Sequence, residues 1–277
     1  MPSSSFALAI TELVYYLSST LPLLYCLYSH RQTGLTGWLF LFLFTALQII
    51  GSALSLSAGP NGTPSTISTI ITGVGLSPLL LGIAGLIHEW ANLAGVTRTP
   101  AAKKKAMIFA LLFHVVVITA IAVYAIGLSN EASNPAKAEA KPLAETGVVL
   151  LLISWGTVVL VFGLIASKIG TRIARPLVWG LIFSLIVLGI RIIYACVSIF
   201  SNVRAMNSVT GSITLKVVFQ FLPGAVIIAA MTAAGVMTSH VEQISDEKVA
   251  GDYKSGEGLR RRCNVLLFMW FGSDVMP

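Results

Sequence analysis

Apolar residues gather into seven long stretches, at about 6–28, 37–57, 67–90, 106–128, 147–167, 177–200 and 215–239, and most polar residues fall between them. A bilayer core about 30 Å thick takes roughly 20 helical residues at about 1.5 Å each. All seven stretches reach that length, the second near the short end. The pattern predicts an all-α fold, a polytopic bundle of seven transmembrane helices. Connections are short, with about nine residues at 58–66 and fewer than twenty at 129–146. No soluble domain fits between helices, so any chemistry belongs inside the bundle or at its mouths. The predicted organisation is a transmembrane domain over 1–240 and a solvated, disordered tail over 241–277, whose composition turns polar after Ser239.

Composition agrees, since 56% of the chain is apolar and 10% charged, and a soluble protein would need a core larger than this chain can enclose. The net charge of +7 is a topology signal rather than a nucleic-acid footprint. Thirteen of the 18 basic residues lie on one side: Arg31; Arg98 with Lys103–Lys105; Lys168, Arg172 and Arg175; and Lys248, Lys254 and Arg260–Arg262 of the tail. Three, Lys137, Lys141 and Arg204, lie on the other, and Arg191 and Lys216 fall within spans. Cytoplasmic loops retain Lys and Arg, so the N-terminus is expected outside and the C-terminus in the cytoplasm.

The first stretch has no basic residues before it and reads as an uncleaved signal-anchor. Cys26 and Cys196 sit at unmatched depths, and Cys263 follows three arginines as a cytosolic thiol, so no disulfide framework is expected. Asn61-Gly62-Thr63 is an N-glycosylation pattern on the expected outer side, with Pro64 directly after it. The loop 131–145, rich in Ala, Pro, Lys and Glu, is expected to be mobile. The apolar run Val265–Phe271 near the C-terminus is too short to span, and no function is assigned to it.

Ionisable groups inside spans cost a few kcal/mol and are functional candidates. By helical rise, Glu12 lies about 9 Å below the outer edge of the first stretch and Arg191 about 13 Å below that of the sixth. Lys216 and Gln220 occupy the first two turns of the seventh. If the helices close into a ring, these groups converge, with Tyr15 and Tyr16 near Glu12 and Tyr194 near Arg191. Two readings stay open: a Glu12–Arg191 ion pair that fixes packing, or an outward-facing polar pocket for a headgroup, ligand or proton. His88 and Glu89, beside Trp90, read as an interfacial anchor with a snorkelling carboxylate. His114 reads as a packing histidine. No metal-ligand motif occurs, and no metal or cofactor is expected.

The third stretch carries Gly75, Pro78, Gly82 and Gly85 on one arc. Small faces allow close backbone approach where lipid supplies no drive to associate. Pro78 frees a carbonyl one turn earlier, which Ser77 could satisfy, and Pro223-Gly224 creates a similar weak point in the seventh stretch. Such kinks serve packing or act as hinges.

Glu12 in its TELVYY context, the basic turn at Arg31, GVGLSPLLLGIAGL and RIIYACVSIF together resemble a group of uncharacterised fungal seven-helix membrane proteins. That group is similar in plan to RTA1-like lipid-translocating proteins and PTH11-type receptors. The resemblance spans roughly residues 5–240 and implies a fungal source and a seven-helix bundle, with no established activity. The cysteine-rich extracellular module of PTH11-type receptors has no counterpart here. Lys216 lies too far toward the outer end for a retinal site. A terpene-cyclase reading has Glu12 as acid but no second carboxylate at its depth, so no catalytic residue is assigned. The leading expectation is a protein that handles or exports a lipid or amphiphile, its partners being membrane lipids and a hydrophobic small molecule rather than nucleic acid. The alternatives are a sensor, an accessory membrane protein and an intramembrane enzyme.

Overall fold

The computed structural model describes residues 4–30, 34–62, 65–94, 100–133, 140–169, 175–201 and 212–254. Its elements are α1 (Ser4–Ser29), α2 (Leu35–Leu56), α3 (Thr66–Val74), α4 (Leu76–Leu93), α5 (Pro100–Ser133), α6 (Ala140–Ile169), α7 (Arg175–Phe200), α8 (Ile213–Lys216), a π turn (Val217–Phe221) and α9 (Leu222–Lys254). With α3–α4 counted as one span and α8 through α9 as another, seven helices are long and apolar enough to cross a membrane. The chain is a multi-pass integral membrane protein. Below, the face at which α1, α3, α6 and α8 begin is called the first face and the other the second.

Two spans are interrupted, each beside a proline. Between α3 and α4, Pro78 brings no N–H to the Val74 carbonyl. The Ser77 hydroxyl donates to that same oxygen at 3.2 Å, so the break leaves no orphaned acceptor there. Pro223 likewise withholds an N–H from Phe219, and the helix before it widens so that the Leu222 N–H reaches back five residues to Val217. A π turn is a common way for a helix to absorb one residue of misfit.

The span formed by α3 and α4 is the innermost: 61% of its apolar stretch is buried, against 17% for α1 and 22% for α5. Helices α2, α5, α6 and α7 all pack on α4; α1 lies against α2 and α9, and α9 against α7. The α2–α4 contact is built on glycine. A Cβ at Gly85 would sit 2.6 Å from the Gly37 Cα, one at Gly82 2.8 Å from Leu41, and one at Gly75 2.6 Å from the Gln48 amide. Gly85 meets backbone, which cannot step aside. Side chains such as Val14, Leu21, Leu112, Ile118 and Leu160 point outward, where a bilayer would solvate them.

Helix α9 continues to Lys254, past the polar switch at which the sequence pattern predicts a disordered tail. The added segment has no proline and carries Glu, Gln, Lys and Ala among its residues, so its backbone can stay helical beyond an apolar environment. The loop 131–145 is also shorter than the pattern predicts, because α5 runs through Ser133 and α6 begins at Ala140. Arg31, Arg98, Lys137, Arg172, Arg204, Arg260–Arg262, Cys263 and the run 265–271 lie outside the described residues.

Candidate functional site

Arg191 is the centre of the polar arrangement near the first face. It is 2% exposed and is carried nine residues before the end of α7, about 13 Å down by helical rise. Its guanidinium lies over the Phe44 ring at 5.5 Å, a favourable but partial substitute for an anion. Among the described residues no carboxylate comes within 4.0 Å of it, and its buried Nη1 has no hydrogen-bond partner. Gly224 makes room for it: a Cβ there would lie 2.6 Å from Nη1 and 2.9 Å from the Tyr16 hydroxyl. That hydroxyl is also buried without a partner.

The Glu12–Arg191 ion pair is therefore not formed. Glu12 accepts a hydrogen bond from Ser52 at 3.2 Å and feels the Arg191 and Lys216 charges only through space. The reason is the helix arrangement. α9 packs on both α1 and α7, and Arg191 lies against Phe44, which is packed edge to face on Tyr16, itself edge to face with Phe221. Tyr15 turns away from Arg191, donating to the Ala225 carbonyl at 2.6 Å and thereby tying α1 to α9.

Arg191 forms part of the lining of a small pocket between α3, α5, α7 and the π turn. Tyr194, stacked on Phe219 with centroids 5.0 Å apart, forms one wall with Ser198; Thr69, Tyr124 and Gln220 contribute further polar groups. Leu76, Leu128 and Ala195 supply an apolar part. The pocket leaves about 30 Å³ for the centres of water-sized molecules, room for about two or three waters. Gln220 donates to the Thr72 hydroxyl at 3.2 Å, and Gln48 of α2 donates to the Thr72 carbonyl at 3.1 Å. Thr72 thus ties the π turn to the broken third span. Of the residues singled out from sequence, Arg191, Tyr194 and Gln220 share this pocket, while Glu12, Tyr15 and Lys216 do not line it. Pro78 is buried; Pro223 sits two residues after the π turn that carries Phe219 and Gln220.

A second buried polar group lies toward the second face. His30 Nδ1 is 2.9 Å from Glu89 Oε1, and its Nε2 is 3.0 Å from the Gly235 carbonyl. His30 and Glu89 are 2% and 0% exposed. Glu89 does not snorkel; His88, its neighbour, is the exposed one. Reading Glu89 from its position at a helix end missed that α4 is central, so even its ends are enclosed. His30 was not identified from sequence at all. The available signal was depth: His30 closes the first stretch and Glu89 the third, on the same side of the membrane under alternating topology. Gly34 abuts the Glu89 carboxylate and so makes space for the pair, while Gly235 abuts the Trp38 ring that packs on His30. His114 bonds its own helix, Nδ1 to the Ala110 carbonyl at 2.6 Å, and packs on Phe40. Cys26 and Cys196 are free thiols, and Asn61 is exposed at the first face.

Neither the curated proteins nor the solved structures contain a match to this chain. Residues 4–241, the whole seven-helix bundle, match the family described as "Domain of unknown function (DUF7702)", and the chain belongs to that family.

Proposed function

We propose that this membrane protein handles or exports a lipid or amphiphilic small molecule, whose polar head enters the pocket above Arg191. The observation that carries the reading is a buried cation with no carboxylate of the described residues within 4.0 Å, lining a cavity of mixed polarity inside a membrane-spanning bundle. A charge held in such a place costs a few kcal/mol and is kept where it serves a pathway or ligand. Both interrupted spans border the cavity, through Gly73 and Leu76 on one side and Phe219 and Gln220 on the other. Movement at either break would widen it, which suits a carrier. This reading is in keeping with an RTA1-like plan and a fungal source.

The same proposal places the first face outside and the C-terminus in the cytoplasm of the plasma membrane or an endomembrane, on the strength of the basic-residue bias. Asn61 would then face outward and could carry a glycan. Asn61→Cys should react with an impermeant maleimide in intact cells; labelling only after permeabilisation would reverse the orientation.

The test of function is amphiphile export in a host lacking the gene, comparing wild type with Arg191→Gln and Glu12→Gln at matched folded protein. Loss of export in folded Arg191→Gln supports the carrier; undiminished export from both folded variants removes its site. A sensor is the second reading. It is favoured by the helical extension of α9 to Lys254, which offers a surface beyond the bundle to a cytosolic partner.

A further inference from the structure

We infer that the Arg191 pocket is an anion site for a single carboxylate, which fixes the head chemistry of the ligand in the reading above and rests on that reading for the pocket's role. Four features lead there. The first is donor excess. Arg191 presents N–H groups and no acceptor; its buried Nη1 has no hydrogen-bond partner and no carboxylate of the described residues comes within 4.0 Å. Tyr16, which lies outside the lining, carries a buried hydroxyl with no partner near the same guanidinium, across Gly224. Buried polar groups are satisfied in nearly all native structures, so such a site calls for an acceptor from elsewhere.

The second is charge. Arg191 is the one charged residue among the described residues lining the pocket. A carboxylate carries one negative charge and is neutralised by it, whereas a phosphate monoester would bring an excess of charge into a low-dielectric space. Glu12, the acidic group nearest in the charge network, is occupied by Ser52 and lies outside the lining. It acts on the guanidinium only through space, and its charge disfavours a dianion in the pocket about twice as much as a monoanion.

The third is shape. A guanidinium is a planar fork that matches the two oxygens of a carboxylate. The space, about 30 Å³ for water-sized centres, suits two oxygens in place of two or three waters. The fourth is the wall. The Phe44 face beneath the guanidinium, behind the lining, and the stacked Tyr194–Phe219 pair surround the fork with aromatic groups that lower the local polarity. Hydrogen bonds there are stronger than at a surface.

The carboxylate could belong to a small soluble acid or to the head of a fatty acid, and the experiment separates these. Purified full-length protein in nanodiscs is titrated with acetate, butyrate, dodecanoate, dodecyl phosphate, dodecyltrimethylammonium and dodecanol, with binding read by Tyr and Trp fluorescence and by thermal stabilisation. The expected result is binding of at least one carboxylate and no competition from the ammonium or the alcohol. Charge-assisted hydrogen bonds are worth about 1.5–3 kcal/mol, so Arg191→Gln should weaken carboxylate binding by about 10- to 100-fold. Arg191→Lys, which keeps the charge and removes the fork, should weaken it less than Arg191→Gln and serves if the glutamine variant fails to fold.

Dodecanoate binding with acetate and butyrate silent supports both the head chemistry and the amphiphile reading. Binding of the short acids alone keeps the carboxylate site and ends the amphiphile reading. Equal binding of phosphate and carboxylate, preference for the cation or alcohol, or carboxylate binding unchanged in a folded Arg191 variant overturns the inference. Amphiphile export that shows no head-group preference also overturns it and leaves the amphiphile reading standing.

Discussion

Replacing His30 should destabilise the protein severely, and a second substitution at Glu89 should give part of that stability back. His30 bridges three spans: it extends from the end of α1, contacts Glu89 of α4 at 2.9 Å, and reaches the Gly235 carbonyl of α9 at 3.0 Å. With Glu89 ionised, both ring nitrogens must donate and His30 is an imidazolium. With Glu89 protonated, Nδ1 accepts from the carboxyl and Nε2 still donates to Gly235. Either arrangement holds the same number of protons and no net charge. His30→Ala removes both bonds and leaves the fully buried Glu89 carboxylate without its imidazole, at a cost of about 3–5 kcal/mol. Glu89→Gln is different. Its amide can donate to Nδ1 while Nε2–H keeps the Gly235 bond, so the loss is confined to the charge assistance, about 1 kcal/mol. In His30→Ala/Glu89→Gln no charge remains to be buried, and the double variant should be more stable than His30→Ala by about 2 kcal/mol. The assay is reversible unfolding in mixed micelles, with helicity and Trp fluorescence followed together. A gap of 3 kcal/mol is about two decades in the unfolding constant. A His30→Ala protein within 1 kcal/mol of wild type, or a double variant less stable than His30→Ala, would refute the buried-charge reasoning.

Two further outcomes follow from the geometry. Gly85→Ala places a Cβ 2.6 Å from the Gly37 backbone and should cost about 1–3 kcal/mol by forcing α2 from α4. Gly156→Ala meets nothing within 4 Å and should be neutral or gain up to about 1 kcal/mol of helix propensity; equal effects at the two sites in the same unfolding assay would rule out close α2–α4 contact. Pro223→Ala restores an N–H for the Phe219 carbonyl and removes the cause of the π turn, so Phe219 and Gln220 should rotate out of the pocket. The expected readout is a folded protein whose pocket ligand binds about 10-fold or more weakly; unchanged binding would show that the π turn has another cause.

Much of the architecture was legible in the chain, because every residue crossing a bilayer must satisfy its backbone within a helix. That constraint makes length and apolarity sufficient to count the spans. The two prolines marked both interruptions, and the glycines at 75, 82 and 85 marked one contact face. Depth too was readable, since helical rise is constant, and so Glu12, Arg191, Lys216 and Gln220 were expected to converge near one face; of these, Arg191 and Gln220 line the pocket.

Lateral arrangement was not legible. Lipid and protein interior are both apolar, so the stretch that becomes α5, 22% buried, has no less apolar a composition than the one that becomes α3–α4, 61% buried. Nothing in the chain said that α4 is central, and therefore that Glu89 is enclosed and needs His30. Shared depth for Glu12 and Arg191 suggested an ion pair, but pairing within 4 Å depends on helix rotation and neighbours. Tertiary packing decided that, setting Glu12 against Ser52 and Arg191 against Phe44. Composition and periodicity determine how often and how deep the chain crosses, while packing decides which buried charges meet and which one is left facing a cavity.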